Sequence, residues 1–172
     1  TAEEVYGYTL AWAKENDAEF ASILESDKEY AVRILSIGRG GKKPRKDIAL
    51  WSEVKNYMSF FYDELFERSD SIPETFDRND VLSVLSDFKD SYDETVDQSE
   101  WFNNIKKIAE NNGFCPDMKQ YKANPENFKG SVADVSMFLR VAVTGRMNSP
   151  DLYEVMQILG KDRVLARVGI FG

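Results

Sequence analysis

Two arginines near the C-terminal end, Arg140 and Arg146, have the side chains best suited to bind another molecule. They bracket a predicted turn that leads to Ser149-Pro150, a pair typical of a helix start. A guanidinium group is a rigid fork of N–H donors that matches a phosphate or the edge of a base. The unpaired backbone N–H groups of a helix start attract the same groups. The sequence therefore predicts a site for a polyanion at this turn.

Residues for catalysis are scarce. The 172-residue chain has no histidine and one cysteine, Cys115. This excludes a Ser-His-Asp or Cys-His pair, a disulfide within the chain and a zinc site of the usual ligand spacing. The glycine-rich run "GRGGKKPRK" lacks the spacing of a phosphate-binding loop. We therefore expect no catalytic residue and no metal site in this chain, and we expect Cys115 to be a small buried side chain.

The charge of the chain is unevenly distributed. The net charge is −8, yet residues 62–100 alone hold thirteen acidic and three basic residues, so the remainder is slightly positive. The run from Gly38 to Lys46 has five basic residues and no acidic one. Because salt screens charges beyond about 10 Å at 0.1 M, a polyanion could bind the basic regions. We expect the acidic helices to point away from it.

Two simpler interpretations remain open for these basic residues. A basic, glycine-rich run is more often a flexible linker than a site. Arg140 and Arg146 could serve only to stabilise a helix C-terminus, where a cation gains about 0.3–1 kcal/mol. Neither interpretation accounts for a basic turn that faces a free helix start.

Hydrophobic residues recur at helical spacing along most of the chain, and strand alternation is absent, which predicts an all-α fold. We expect a helix that begins at a cap at Ser52 and runs to about Leu65. Another begins near Ser131, with Asp134 completing a capping box, and ends at Gly145. The next has Ser149 as its N-cap, Pro150 at its first position and Gly160 at its end. A short last helix follows to about Val168.

The polar, proline-containing stretch of residues 68–80 is the best candidate for a domain boundary. No apolar run reaches the roughly 20 residues that span a membrane, and no basic and apolar leader opens the chain. We therefore expect a cytoplasmic protein.

The two C-terminal helices do not favour a DNA-binding helix-turn-helix, because the second helix carries Asp151 and Glu154 and no Lys or Arg. Single-stranded RNA, such as an anticodon, suits arginine side chains and apolar pockets better.

Three stretches resemble the C-terminal region of bacterial-type glutamyl-tRNA synthetases. The most specific is "LRVAVTGRMNSPDLYEVMQILGKDRVLARV", with its Leu-Arg, Thr-Gly, Ser-Pro-x-Leu and Leu-Gly-Lys-Asp-Arg elements. The others are "KKPRKDIALWSEVKNYMSFFYDEL" and "GSVADVSMFLR". The resemblance is looser before about Tyr30 and through residues 66–100.

The resemblance implies an all-α fragment that binds tRNA. It has a helical bundle at residues 1–70 and an anticodon-binding helical cage at residues 71–172, without the Rossmann catalytic domain. That domain carries the HIGH-like and KMSKS-like motifs and uses ATP and Mg²⁺ to join glutamate to glutamate tRNA; neither motif occurs here. The implied partner is the anticodon loop of that tRNA, bound by a monomer.

Residue roles also follow from the resemblance. Arg140 matches the arginine that contacts the anticodon loop, and Ser149, Pro150 and Leu152 match positions that meet anticodon bases. Arg45 matches the arginine that distinguishes the third anticodon base and belongs to the form that reads glutamate anticodons alone. Arg146 is expected to bind phosphates, and the neighbouring Lys43 and Lys46 are expected to bind the tRNA. A helical scaffold that binds other proteins through its acidic segment is the alternative, and a lack of RNA affinity at low salt would favour it.

Overall fold

The structure, a computed structural model, describes residues 1–37 and 48–171, and side chains for residues 1–37 and 53–171. Over these residues the expected all-α fold is confirmed. The described part contains no strand, and an isolated parallel bridge joins Cys115 to Ser131. Backbone contacts divide the chain into two compact units, one that extends to Glu67 and one that begins at Arg68.

In the residues that the structure describes, the first unit has four α-helices and a short 3₁₀ helix. They are α1 (Ala2–Asn16), α2 (Ala18–Ser26), α3 (Lys28–Leu35), α4 (Ile48–Met58) and the 3₁₀ helix Ser59–Phe61. Side-chain caps start the first three helices: Thr1 accepts from the N–H of Glu4, and Asp17 and Asp27 cap α2 and α3. The core residues of this unit are fully buried and largely aromatic or aliphatic, among them Phe20, Leu24, Ile34, Met58, Phe60 and Phe61.

The predicted helix from Ser52 to Leu65 is wrong at both ends. The helix α4 begins at Ile48 and ends at Met58. The chain then tightens into the 3₁₀ turn, where the Ser59 hydroxyl donates to the carbonyl of Lys55 at 2.6 Å. Phe60 and Phe61 stack 4.3 Å apart and are buried there, and Tyr62 is already extended. Burial of two consecutive aromatic rings therefore prevails over continuation of the α-helical stripe.

The second unit contains six α-helices and another 3₁₀ helix. They are α5 (Arg78–Ser91), α6 (Gln98–Asn111), α7 (Met118–Ala123), the 3₁₀ helix Pro125–Asn127, α8 (Val132–Thr144), α9 (Leu152–Leu159) and α10 (Lys161–Phe171). The central helix is α8, which contacts α5, α6 and α10. Its Phe138 is fully buried and meets the rings of Phe76 and Phe114 edge-on at 4.9 and 5.6 Å.

Both predicted ends of α8 are confirmed. The carboxylate of Asp134 accepts from the N–H of Ser131 at 2.8 Å, which completes the predicted capping box. At the other end Gly145 adopts a left-handed conformation with φ of 73°, and its N–H donates to the carbonyl of Val141. Glycine suits this position because it has no Cβ to clash. The predicted α9 end at Gly160 is also confirmed, and α10 continues past Val168 to Phe171.

The predicted start of α9 is wrong by two residues. Its N-cap is Asp151, whose carboxylate accepts from the N–H of Glu154 at 3.1 Å, and the helix begins at Leu152. Both Ser149 and Asp151 have side chains that cap helices. The Ser149 hydroxyl is already engaged, because it accepts from Arg140 and donates to the carbonyl of Pro150.

None of the helices in the described part is both long and apolar enough to cross a membrane. Within the same residues, no cluster of three or more Cys, Asp and Glu side chains is placed to hold a metal ion. Cys115 is fully buried, as expected, and its Sγ donates to the carbonyl of Asp117 at 3.1 Å.

Candidate nucleic-acid interface

The turn after α8 is held by hydrogen bonds to one threonine. The Thr144 hydroxyl donates to the carbonyl of Arg140 at 2.7 Å and accepts from the N–H of Arg146 at 3.1 Å. Thr144 is itself fully buried. One side chain therefore connects the last turn of α8 to the residue that follows Gly145, and it fixes the path of the chain between the two predicted arginines.

The side chain of Arg140 is oriented by Ser149. It is half-buried, and its Nε donates to the Ser149 hydroxyl at 2.9 Å. Burial lowers the pKa of Arg140, and the Asp151 carboxylate nearby opposes that shift. A guanidinium stays protonated at neutral pH all the same. In the part of the chain that the structure describes, no acceptor is recorded for the two terminal Nη groups of Arg140. The donors at its tip are thus held in place and remain available to a ligand.

Arg146 has an acidic neighbour. Burial lowers the pKa of Arg146, and the charge of Asp70 opposes the shift. Asp70 also binds the turn directly: its N–H donates to the carbonyl of Gly145 at 2.9 Å, and its carboxylate accepts from the N–H of Met147 at 2.8 Å. Arg146 is half-buried and has further interactions within the protein. Its charge is therefore partly balanced inside the chain.

The three other residues predicted here differ in exposure. Ser149 and Pro150 are half-buried, and the Ser149 hydroxyl accepts from Arg140. Leu152 has only 4% of its surface exposed and belongs to the buried stripe of α9. The structure brings Arg140 and Ser149 together, and the Ser149 hydroxyl also donates to the carbonyl of Pro150 at 2.8 Å. Lys43, Arg45 and Lys46 lie outside the described residues.

The sequence also predicted a free helix start opposite the arginines, and this is wrong. The carboxylate of Asp151 occupies the first turn of α9, with one oxygen on the N–H of Glu154. Its other oxygen accepts from the amide of Gln98 at 2.8 Å. An anion that approached this helix start would meet a negative charge. The ligand-binding capacity of the turn therefore rests on side chains such as Arg140.

The structure places the middle part of the acidic segment beside α9. That the acidic helices point away from a bound polyanion stays a prediction. The Tyr153 hydroxyl donates to the carbonyl of Val96 at 2.8 Å, and the Gln157 amide donates to the carbonyl of Glu94 at 3.0 Å. With the contact from Gln98 to Asp151, these bonds place the loop between α5 and α6 along α9. Acidic residues thus lie beside the helix that follows the basic turn.

Two arginines that the sequence analysis missed stabilise the end of α8. The guanidinium of Arg68 donates to the carbonyls of Ala142 at 2.8 Å and Arg167 at 3.0 Å and lies 5.0 Å from the Phe171 ring centroid. Arg167 is 97% buried and donates to the carbonyl of Val143 at 2.7 Å. These cations bind carbonyls that a helix C-terminus leaves unpaired. Arg167 could have been noticed in the sequence, because it shares the apolar stripe of α10 with Val164 and Val168.

Comparison with known proteins shows the family of the chain. Residues 42–171 match the family described as Anticodon binding domain. The chain belongs to this family. The anticodon-binding domain is 47% identical to the glutamate–tRNA ligase of Sorangium cellulosum over 99% of its own length and 30% of that protein. It is 40% identical to the glutamate–tRNA ligase of Acetivibrio thermocellus over 97% of its length and 31% of that protein.

The resemblance drawn from the sequence is therefore confirmed. The anticodon-binding domain spans less than a third of the length of these relatives. Its matched residues include the whole turn from Thr144 to Asp151 and both arginines of the predicted site.

Proposed function

We propose that this chain binds the anticodon loop of glutamate tRNA and that Arg140 makes the central contact. The observation that carries the proposal is the bond from Arg140 Nε to the Ser149 hydroxyl, which orients the guanidinium and leaves its Nη groups for a ligand. Membership of the anticodon-binding family supports a tRNA as that ligand. The names of the relatives support glutamate as the amino acid concerned.

An arginine held in this way suits an unpaired base. Its planar fork can donate two parallel hydrogen bonds to a base edge or a phosphate, and its face can stack on a base. Because Ser149 fixes the side chain before binding, less conformational freedom is lost when the contact forms. A good bidentate contact to a base edge contributes about 1–3 kcal/mol of discrimination against the wrong base. One well-placed arginine is therefore sufficient to make binding depend on the anticodon.

The other predicted residues have graded roles in this proposal. Ser149 binds the Arg140 guanidinium, and Ser149 and Pro150 would contact the same base, whereas Leu152 would support them from the core. Arg146 would contact a phosphate, with its charge moderated by Asp70. For Lys43, Arg45 and Lys46 the sequence is the sole support. Arg45 would distinguish the third anticodon base.

The complete enzyme would perform the chemistry elsewhere. We propose that a catalytic part beyond this chain attaches glutamate to the tRNA, which the names of the relatives support. It would use ATP and Mg²⁺, as the resemblance implies. We further propose a helical bundle at residues 1–70 and an anticodon-binding cage at residues 71–172, in a cytoplasmic monomer. Because contacts to the acceptor end would be absent, the chain alone should bind tRNA weakly. The binding free energy should be about −8 kcal/mol or less favourable, which corresponds to a micromolar or weaker dissociation constant.

Binding to glutamate tRNA by the Arg140→Ala variant tests the proposal. Fluorescence anisotropy at about 50 mM salt should show at least a tenfold loss of affinity, equivalent to about 1.4 kcal/mol. Lys107→Ala is the matched control, since it removes one positive charge from an exposed position in α6. It should leave the affinity within about twofold. Equal losses of affinity in both variants would show that the chain binds RNA only by general charge attraction. No binding by the unaltered chain would favour the protein-interaction scaffold.

A further inference from the structure

Asp70 and the turn after α8 are joined at two points. The N–H of Asp70 donates to the carbonyl of Gly145, and the Asp70 carboxylate accepts from the N–H of Met147. The two bonds are 2.9 and 2.8 Å long. Asp70 is 75 residues before Gly145 in the chain, so this contact is not part of the local structure of the turn.

The fixed turn leads directly to the proposed RNA-binding side chains. Thr144 connects the turn to the Arg140 carbonyl, and Ser149 follows Met147 by two residues and binds Arg140 Nε. A change in the path of residues 145–147 would therefore move the Ser149 hydroxyl away from Arg140. The guanidinium would lose the acceptor that orients it.

We propose that Asp70 is a positioning residue for anticodon recognition, which rests on the proposed function. Its backbone N–H and carboxylate hold residues 145–147 in the conformation that places Ser149 against Arg140. Two residues earlier, Arg68 binds the carbonyls at the end of α8, so the start of the second unit holds both the helix end and the turn. Asp70 would contact no RNA itself and would act through the turn.

A role for the negative charge of Asp70 makes a different prediction. The charge acts on Arg146 and would repel RNA phosphates, so its loss alone would strengthen binding in a way that salt abolishes. The positioning role depends on the hydrogen-bond acceptor and on no charge. An asparagine side chain retains an oxygen that can accept from the Met147 N–H, whereas an alanine does not. The two variants Asp70→Asn and Asp70→Ala therefore separate the two roles.

The experiment compares these variants by binding and by amide exchange. Affinity is measured for the anticodon stem-loop of glutamate tRNA and for the same stem-loop with the anticodon bases changed. Asp70→Ala should lower the preference for the correct anticodon at least about fivefold and speed exchange of the Met147 amide by a similar factor, as expected for one lost hydrogen bond. Asp70→Asn should keep both near their original values. The melting temperature of each variant is measured to show that the helices stay folded.

The matched control is Asp90→Ala, which removes a carboxylate from an exposed position in α5 that makes no recorded hydrogen bond or ion pair with the described residues. It should change neither readout. If Asp70→Ala keeps its preference, or if Asp70→Asn loses as much as Asp70→Ala, the positioning role is overturned. If the unaltered chain binds neither stem-loop, the proposed function fails and so does the role in RNA recognition. Amide exchange in the two variants would still decide whether Asp70 holds the turn.

Discussion

At the scale of single residues, the account depends on the pairing of Arg140 with Ser149. Serine at position 149 was expected to cap a helix, and the structure shows that it binds an arginine side chain at 2.9 Å. The sequence could not distinguish these uses, because Ser149 and Asp151 are both good cap residues and Pro150 suits the first position of a helix. The contact with Arg140, nine residues earlier, decided between them.

The pairing predicts that the losses of tRNA affinity caused by Ser149→Ala and Arg140→Ala are not additive. Ser149→Ala should weaken binding to glutamate tRNA by about two- to tenfold, because it removes an oriented hydrogen bond. In the Arg140→Ala background the same change should have little further effect, since the group it orients is gone. A double-mutant cycle by fluorescence anisotropy measures the coupling. Ser86→Ala, at an exposed position in α5, is the control. Fully additive losses would show that Ser149 does not act through Arg140.

At the scale of elements, helix ends were well predicted where one local signal decides them. Residues within one or two turns were sufficient to predict the helix ends at Gly145 and Gly160 and the capping box of Ser131 and Asp134. The stabilisation of the α8 C-terminus could not be read locally. Arg68 reaches it from 74 positions away in sequence, and Arg167 reaches it from α10. Such contacts depend on tertiary packing, which spacing along one helix does not reveal.

Substitution of Gly145 and Gly169 by alanine should change the stability of the second unit in opposite directions. Gly145 has a φ of 73°, so Gly145→Ala should destabilise the second unit by about 1 kcal/mol or more. Gly169 lies within α10, and a Cβ there would meet only the end of the Lys89 side chain at 3.5 Å. Gly169→Ala should therefore stabilise the unit by about 0.5 kcal/mol. Urea unfolding measures both changes. Equal effects of the two substitutions would contradict the assigned helix end.

Asp17 links three helices of the first unit and makes its stability depend on pH. The Asp17 carboxylate caps α2 and accepts a hydrogen bond from Lys55 in α4. The backbone N–H of Asp17 donates to a carbonyl of α1. The bond from Lys55 and that from the N–H of Phe20 lower its pKa below the ordinary 3.8. The ionised form is thus favoured by folding. The contribution of the ionised Asp17 to the stability of the first unit is present above pH values near 3.8. It is lost as the pH falls through the lowered pKa.

Asp17→Asn should therefore flatten the acid dependence of stability in the first unit. Asparagine still caps α2 and the ion pair with Lys55 is only partly buried, so the loss at neutral pH should be about 1 kcal/mol or less. Urea midpoints from amide signals of the first unit, measured between about pH 2 and 5, give the comparison. Asp27→Asn changes the cap of α3 in the same way and is the control. An unchanged acid slope in Asp17→Asn would contradict the assignment.

At the scale of the whole molecule, the charge distribution sets the conditions for binding. The sequence correctly showed that the net charge of −8 is concentrated in one segment. It did not show where that segment lies, because the contacts that place it are long-range. Tyr153 and Gln157 donate to its middle part, and Gln98 donates from it to Asp151. Acidic residues beside α9 should weaken the attraction of RNA to the turn. They should do so only at low salt.

Asp97→Asn tests this electrostatic effect. Asp97 caps α6 next to Gln98, which binds Asp151, and asparagine preserves the cap. The substitution should raise the affinity for glutamate tRNA by up to about twofold at 50 mM salt and leave it unchanged at about 200 mM. Asp117→Asn changes the cap of α7 near the opposite end of α8 and is the matched control. An increase that persists at high salt, or one equal in the control, would contradict the placement.

The most direct test of the central claim compares two RNA molecules with the unaltered chain. One is the anticodon stem-loop of glutamate tRNA, and the other is the same stem-loop with its three anticodon bases replaced. Because a well-placed base contact contributes about 1–3 kcal/mol of discrimination, titration at about 50 mM salt should show at least about a fivefold preference for the first. Equal affinities for the two stem-loops would contradict anticodon recognition by this chain.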